Sequence, residues 1–267
     1  MFNVFRLAVT ICVVVGFTII MAPLQLLAIR MRWRLARRIP TLWHRLALKL
    51  LGVRVKVRGE IPSSRPLLIV ANHLSWSDIL VLGSVLDVCF IAKAEVKSWP
   101  VINVLALFQR TVFIDRDRRY QTRAHAGQIA QRLVEGDAMV LFAEGTTGSG
   151  HKLLPFRSAL FGAIHAALDN STATHVTVQP VAIAYTKLHG LPLGRVDQCM
   201  AAWPGDVELV PHLLGFLKNG AYDAEVVFGR PEDFDAETKR KAIAVHMEAE
   251  VRNGFISAMR MHPPDGG

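Results

Sequence analysis

Leu67-Leu68-Ile69-Val70-Ala71-Asn72-His73-Leu74-Ser75-Trp76-Ser77-Asp78 is the stretch on which the fold turns. Five apolar residues in a row read as a strand buried on both faces. Asn72 and His73 then break the run. Ser75-x-x-Asp78 has the spacing of a helix-opening capping box, and Trp76–Leu86 follows with helical patterning. Strand, polar loop and helix in this order make one half of a βαβ unit.

The same texture continues outward. Strands are expected at Val53–Val57, Val88–Ala92, Thr111–Ile114, Ala138–Phe142, Val178–Tyr185 and Ala224–Phe228. Helical patterns fall at Arg123–Glu135, Ser158–Leu168 and Ala236–Ala258. Alternation of this kind predicts an α/β domain with a mostly parallel sheet flanked by helices. In such sheets ligands collect where strands end and loops begin. The unusual polar clusters follow strands Leu67–Ala71, Thr111–Ile114 and Ala138–Phe142, so they are expected to share one site.

Upstream, Leu7–Ile29 is a 23-residue run without a charge, long enough at about 1.5 Å per residue to cross a hydrocarbon core of about 30 Å. Arg30, Arg32, Arg34, Arg37 and Arg38 follow directly, and this positive bias places the downstream chain on the cytoplasmic side. A cleaved signal peptide would have a shorter apolar core and no basic block behind it. Pro23 and Gln25 inside the run keep a shallower, monotopic attachment as the rival to a full span. Residues 30–50 set Trp33, Leu35, Ile39, Leu42, Trp43, Leu46 and Leu50 among arginines. They read as an amphipathic helix for the membrane surface, for packing on the body, or for both. The expected organisation is a membrane anchor helix (1–30), a basic amphipathic segment leading into the first strand (31–58) and a catalytic domain (59–260).

Charge supports that division. Of the 31 Lys and Arg, eleven lie in residues 1–58, where no Asp or Glu occurs. The remaining 20 face 22 acidic residues, so the body is close to neutral. A basic block abutting an apolar run points to anionic lipid headgroups, not to nucleic acid. Cys12, Cys89 and Cys199 are scattered, which excludes a disulfide framework or a zinc site and fits a reducing compartment.

The first polar cluster carries the chemistry. With Asp78 in the first helical turn and His73 in the loop before it, the carboxylate can reach the imidazole. A carboxylate on one ring nitrogen fixes the tautomer and leaves the other free to take a proton. An alcohol needs such help to attack an acyl thioester, and imidazole is well matched to the task. The bland alternative is a helix cap beside a polar loop histidine. No Ser or Cys has the Gly-x-Ser-x-Gly elbow, which argues against a serine hydrolase and an acyl-enzyme. No His-Glu-x-x-His pattern suggests a metal.

Phe113-Ile114-Asp115-Arg116 puts a guanidinium at a strand mouth, suited to an anionic headgroup or the phosphates of an acyl carrier. Lys93 follows another strand end and can serve the same anion. Glu144-Gly145-Thr146-Thr147 follows Ala138–Phe142; its glycine permits a tight turn, and Glu144 can hold the acceptor hydroxyl or a partner arginine. Arg157, in Leu154-Pro155-Phe156-Arg157, is a further anion contact.

In order and spacing these clusters resemble the glycerolipid acyltransferase family, which includes 1-acyl-glycerol-3-phosphate acyltransferases. The matching blocks are His73-x4-Asp78, Phe113-Ile114-Asp115-Arg116, Glu144-Gly145-Thr146 and Val178-Gln179-Pro180-Val181. The resemblance implies a glycerol-3-phosphate acyltransferase-like fold, His73 as general base, Asp78 as its orienter, and Arg116, Glu144 and Gly145 in acceptor binding. It also implies an acyl thioester donor (acyl carrier protein or coenzyme A), a lysolipid acceptor and no metal or other cofactor. Three departures stand out: Arg110 where the family usually has Gly, Ala143 where it has Pro, and Thr147 where it has Arg. A threonine offers one neutral hydrogen bond in place of a bidentate charge. The long form Phe-Ala-Glu-Gly-Thr-Thr, with Leu-Pro-Phe-Arg-Ser behind it, looks like a bacterial branch that includes lyso-ornithine lipid acyltransferases, whose acceptor has no phosphate.

The expected function is therefore O-acylation of lyso-ornithine lipid at the cytoplasmic face of the inner membrane. Acylation of lysophosphatidate is the chemical neighbour, and one enzyme can do both. A non-catalytic membrane-lipid-binding protein is the competing class.

Overall fold

A computed structural model of the chain describes residues 2–114, 122–169, 173–205 and 207–260. The elements run α1 (Phe2–Arg30), α2 (Leu35–Leu51), β1 (Val53–Arg58), β2 (Leu67–Ala71), α3 (Ser77–Val85), β3 (Val88–Lys93), α4 (Ile102–Phe108), β4 (Val112–Ile114) and α5 (Thr122–Val134). They continue with β5 (Ala138–Phe142), α6 (Gly162–Asp169), β6 (Val176–Leu188), β7 (Leu191–Pro192), α7 (Arg195–Ala201), α8 (Leu209–Asn219), β8 (Tyr222–Phe228), β9 (Glu232–Phe234) and α9 (Arg240–Arg260). The strands form one sheet in the order β1-β8-β6-β2-β5-β3-β4, with β7 and β9 added to β6.

The sheet is mostly parallel, as the alternation of strands and helices predicts. β2 pairs in parallel with β5 and β6, β3 with β4 and β5, and β1 with β8. The reversal is at β6, which pairs antiparallel with β8, β7 and β9. Every residue of β2 and β5 is buried, which is why both read as unbroken apolar runs. Ala182 of β6 lies against Gly254 of α9, whereas Tyr185, three residues on, meets Asp78 of α3. Odd spacing along a strand reverses the side-chain direction, so α9 and α3 cover opposite faces. Removing one such fully buried Leu, Leu68 for example, is expected to cost about 2–5 kcal/mol.

Pro180 sits inside β6 without leaving a gap in the ladder. β9 pairs only as far as Val178 and β8 begins at Val181, so no acceptor faces the missing N–H on that side. The Pro180 carbonyl accepts from Gly229 N (2.9 Å), and Gln179 Nε2 donates to Gly229 O (2.7 Å).

The N-terminal segment folds back on the body. α1 runs antiparallel to α2: Arg6 reaches the Leu51 carbonyl (3.4 Å), Trp43 Nε1 donates to Thr18 Oγ1 (2.8 Å), and Gln25 Nε2 donates to the carbonyls of Ala36 (3.0 Å) and Phe108 (2.6 Å). Gln25 is thus a polar residue in an apolar run because it ties α1 to the start of α2 and the end of α4. α2 turns Ala36, Ile39, His44, Ala47, Leu48 and Leu51 inward and packs on α3, while Trp33 and Leu42 remain exposed. Long apolar side chains elsewhere on α1 are exposed, and α1 is the helix among the described residues with the length and apolarity to cross a membrane.

The structure corrects several boundaries. Ser158–Leu168 is a 3-10 turn (Ser158–Phe161) followed by α6, and α9 starts at Arg240 instead of Ala236. α4, α7 and α8 were not expected. α4 and α7 are one or two turns long, too short for a periodic pattern to emerge.

Candidate active site

Since β2, β3, β4, β5 and β6 run parallel, the loops at their C-terminal ends share one edge of the sheet. His73 leaves β2 there. Its Nδ1 lies 3.0 Å from Asp78 Oδ2. An ionised carboxylate only accepts, so Nδ1 carries the proton and Nε2 has a free lone pair. The imidazole side chain is 17 % exposed and the Asp78 side chain is fully buried. One nitrogen is held from within the protein while the ring still meets solvent.

Asp78 is positioned more firmly than helix spacing alone requires. Oδ2 also accepts the N–H groups of Leu74 (2.6 Å) and Ser75 (2.8 Å), and Oδ1 accepts the Tyr185 phenol (3.0 Å). The expected cap is corrected in its direction. Ser75 Oγ caps nothing, and it is Asp78 that reaches back to the N–H groups ahead of α3. Ser75 is fully buried, and the Asp78 N–H that its hydroxyl would cap donates instead to the Ser75 carbonyl (3.1 Å). Tyr185 in turn meets Ser77 Oγ.

The imidazole is held from other sides too. Its ring stacks on Phe142, the last residue of β5, at 3.9 Å and 13° between planes. The His73 carbonyl accepts from Gly148 N (2.9 Å), and the Leu74 carbonyl accepts from Trp203 N (2.8 Å). Asn72 continues the β2–β6 ladder with its side chain, pairing both polar groups of its amide with the backbone of Ile183 at 2.8–3.0 Å.

Glu144 closes the site from the β5 side. Its Oε1 accepts from His73 N at 3.3 Å, so the first and third motif blocks touch. Burial raises the Glu144 carboxyl to about 8, so it holds a proton at neutral pH. Its Oε2 is sealed from solvent, and the Leu154 backbone N–H also bears on the carboxyl. Gly145 turns the loop at φ +76°, where a side chain would be strained. Thr146 and Thr147 follow, half-buried, with Thr146 Oγ1 facing Gly205.

The other expected residues are placed unequally. Lys93 ends β3 on the same edge and is exposed, and the Arg157 backbone N–H bonds Ala143 O, next to Glu144 (2.9 Å). Neither side chain is bonded to His73, Asp78 or Glu144 among the described residues. Arg116 lies outside the described residues. Sequence reasoning missed Tyr185, Phe142 as a stacking partner, and the α7–α8 segment. In that segment His212 accepts from Trp76 Nε1 (3.0 Å) and bonds Ala202 O (2.8 Å). Tyr185 belongs to an ordinary apolar strand, and only the Ala71–Val181 register carries β6 past the end of β2 and over the His73 loop.

Comparison with known proteins gives the family. Residues 53–184 match the family model described as Acyltransferase. The chain is 48 % identical over 259 residues to the lyso-ornithine lipid O-acyltransferase of Brucella abortus, covering 97 % of each chain. It is 44 % identical over 260 residues to the enzyme of the same name from Rhizobium meliloti, covering 97 % of this chain and 89 % of that one. In fold it is similar to the crystal structure of the 1-acyl-sn-glycerophosphate acyltransferase of Thermotoga maritima, with a TM-score of 0.63, 21 % identity, and coverage of 96 % and 98 %. Matched by this family model and 44–48 % identical to these relatives along 97 % of its length, the chain belongs to the acyltransferase family.

Proposed function

We propose that the chain transfers a fatty acyl group from a thioester to the hydroxyl of lyso-ornithine lipid, with His73 as general base. The 3.0 Å contact between His73 Nδ1 and Asp78 Oδ2 carries this reading, because it leaves Nε2 free to accept a proton. Nε2 takes the proton of the acceptor hydroxyl as its oxygen bonds to the thioester carbonyl carbon. The tetrahedral adduct then collapses, the C–S bond breaks, and the departing sulfur takes the proton from the imidazolium. The products are an ester and the free thiol of acyl carrier protein or coenzyme A. Asp78 orients the ring and offsets its transient charge. The neutral Glu144 holds the Glu-Gly-Thr loop against the His73 turn, beside the acceptor.

The acceptor assignment is supported by the relatives' names and by Thr147, which leaves this loop without the cation a phosphate would need. Membranes containing the protein should acylate lyso-ornithine lipid from labelled acyl-thioester. Transfer to lysophosphatidate alone would overturn the choice of acceptor. Supplying acyl carrier protein and coenzyme A thioesters in parallel identifies the donor.

For the membrane, the reading is a monotopic attachment at the cytoplasmic face of the inner membrane. α1 is bonded to α2 near both its ends, and crossing the bilayer upright would drag Arg37, Arg45 and Lys49 into hydrocarbon. The exposed apolar residues of α1 continue on α4 through Val101, Val104 and Leu107. Trp99 packs on Trp203, whose N–H bonds the residue after His73, so this apolar surface runs up to the catalytic loop. A tag ahead of Phe2 should stay inaccessible from outside intact spheroplasts. Labelling it from outside would mean that α1 spans.

A further inference from the structure

On the edge of the sheet opposite the catalytic loops, Arg34, Arg37, Arg38 and Arg65 line a cavity of about 200 Å³ together with Asp87, Gly136 and Ala138. Ala138 opens β5, Asp87 precedes β3, and Arg65 precedes β2. The cavity is thus about one strand length, roughly 17 Å, from the loop that holds His73.

Its charge is not balanced by the protein. Arg37 reaches Asp137 at 3.2 Å, but that carboxylate also holds Arg110 at 3.0 Å and Arg132 at 2.7 Å. One negative charge therefore serves three positive ones. Asp87 accepts from Thr41 Oγ1 (2.8 Å), and Arg34, Arg38 and Arg65 have no carboxylate partner among the described residues. Burial, and then the neighbouring Arg37, lower the Arg65 pKa. α2 starts at the same place, with no acidic residue in its first turn and no side-chain cap, so its positive end adds to the imbalance. Four guanidiniums from two chain segments outnumber the carboxylates beside them, Asp87 in the lining and the shared Asp137, and form a site for a tetrahedral, multiply charged oxyanion.

We propose that this cavity holds the phosphate of an anionic phospholipid. The inference rests on the membrane-surface reading above. Met31 and Trp33, in the turn just before Arg34, and Leu26 and Leu27, near the end of α1, are exposed apolar side chains close in the chain to the cavity's arginines. The cavity is too small for coenzyme A. It takes a headgroup phosphate at the depth of the interface and would set how the hairpin of α1 and α2 sits on the membrane.

The test uses full-length protein in neutral detergent micelles, titrated with short-chain phosphatidylglycerol, diacylglycerol and inorganic phosphate, with bound lipid counted by native mass spectrometry. Phosphatidylglycerol should bind one to one, phosphate more weakly and in competition, and diacylglycerol not at all. At about fivefold per cation removed, the Arg38→Gln/Arg65→Gln variant should bind phosphatidylglycerol roughly 25-fold more weakly. The control Lys239→Gln/Lys241→Gln, at the start of α9, should bind as the unmodified protein does. The single variant Arg34→Gln, with melting curves, guards against misfolding. Equal losses in both double variants, or no loss in either, would overturn the site. Phosphate binding as tightly as the lipid would replace the headgroup with a soluble anion. Because binding is read without acyl transfer, failure here leaves the catalytic reading untouched.

Discussion

Tyr185 donates its phenol to Asp78 Oδ1 at 3.0 Å, on the oxygen that does not face His73. The imidazole thus rests on a carboxylate that is itself fixed from β6. A hydrogen bond to a charged group contributes about 1.5–3 kcal/mol, and losing it frees the carboxylate to shift. Tyr185→Phe should lower kcat about tenfold or more with little change in KM. An unchanged kcat would reduce Tyr185 to a packing residue.

His73→Ala should lower acyl transfer by a factor of about 100 to 10,000, the range for loss of a positioned general base. Membrane association, measured by flotation, should not change, since the substitution leaves the exposed apolar side chains of α1 and α4 in place. Full activity in this variant would mean that a group other than His73 takes the hydroxyl proton.

Glu144 gives a pH dependence with a definite sign. Its carboxyl is raised from 4.5 to about 8 by burial, so the folded state keeps a proton that the unfolded state has released. The resulting stability is complete below pH 4.5 and is lost as the pH rises towards 8. Glu144→Gln, which stays neutral throughout, should flatten this part of the melting temperature–pH curve. An unchanged slope would mean that the carboxylate is ionised in the fold.

His44 acts in the opposite pH range. It is buried between α2, α3 and α4, where Nε2 meets Gln109 Oε1 (2.9 Å), and burial lowers its pKa from 6.5 to about 4. The unfolded chain therefore takes up the proton first, and stability falls as the pH drops from 6.5 towards 4. Between pH 7 and pH 5 the loss is about 2 kcal/mol, at about 1.4 kcal/mol per pH unit. His44→Gln should show a shallower acid slope in chemical denaturation.

Gly83 of α3 faces the same imidazole, and a methyl group there would overlap the ring. Gly83→Ala should destabilise the protein by about 1–3 kcal/mol through overpacking. Combining it with His44→Ala should recover part of that loss, which a double-mutant cycle of unfolding free energies would reveal. Strict additivity would mean that α2 and α3 do not meet through this pair.

The chain's local chemistry was legible without coordinates. Unbroken apolar runs such as Leu67–Ala71 and Ala138–Phe142, bounded by polar residues, read as strands covered on both faces, and the charged block beside a 23-residue apolar run points to lipid. His73 and Asp78 are five residues apart, so the geometry of one loop brings them together. What lay far apart in sequence needed the sheet. The order β6-β2-β5 sets Tyr185 behind Asp78 and Glu144 against the His73 amide, and the hairpin of α1 and α2 lays an apolar helix along the body. Periodicity reports which face of an element is buried but not what buries it. Strand order and register depend on contacts between residues far apart in the chain, 71 positions for Glu144 and His73 and 107 for Tyr185 and Asp78, and those only the tertiary structure decides.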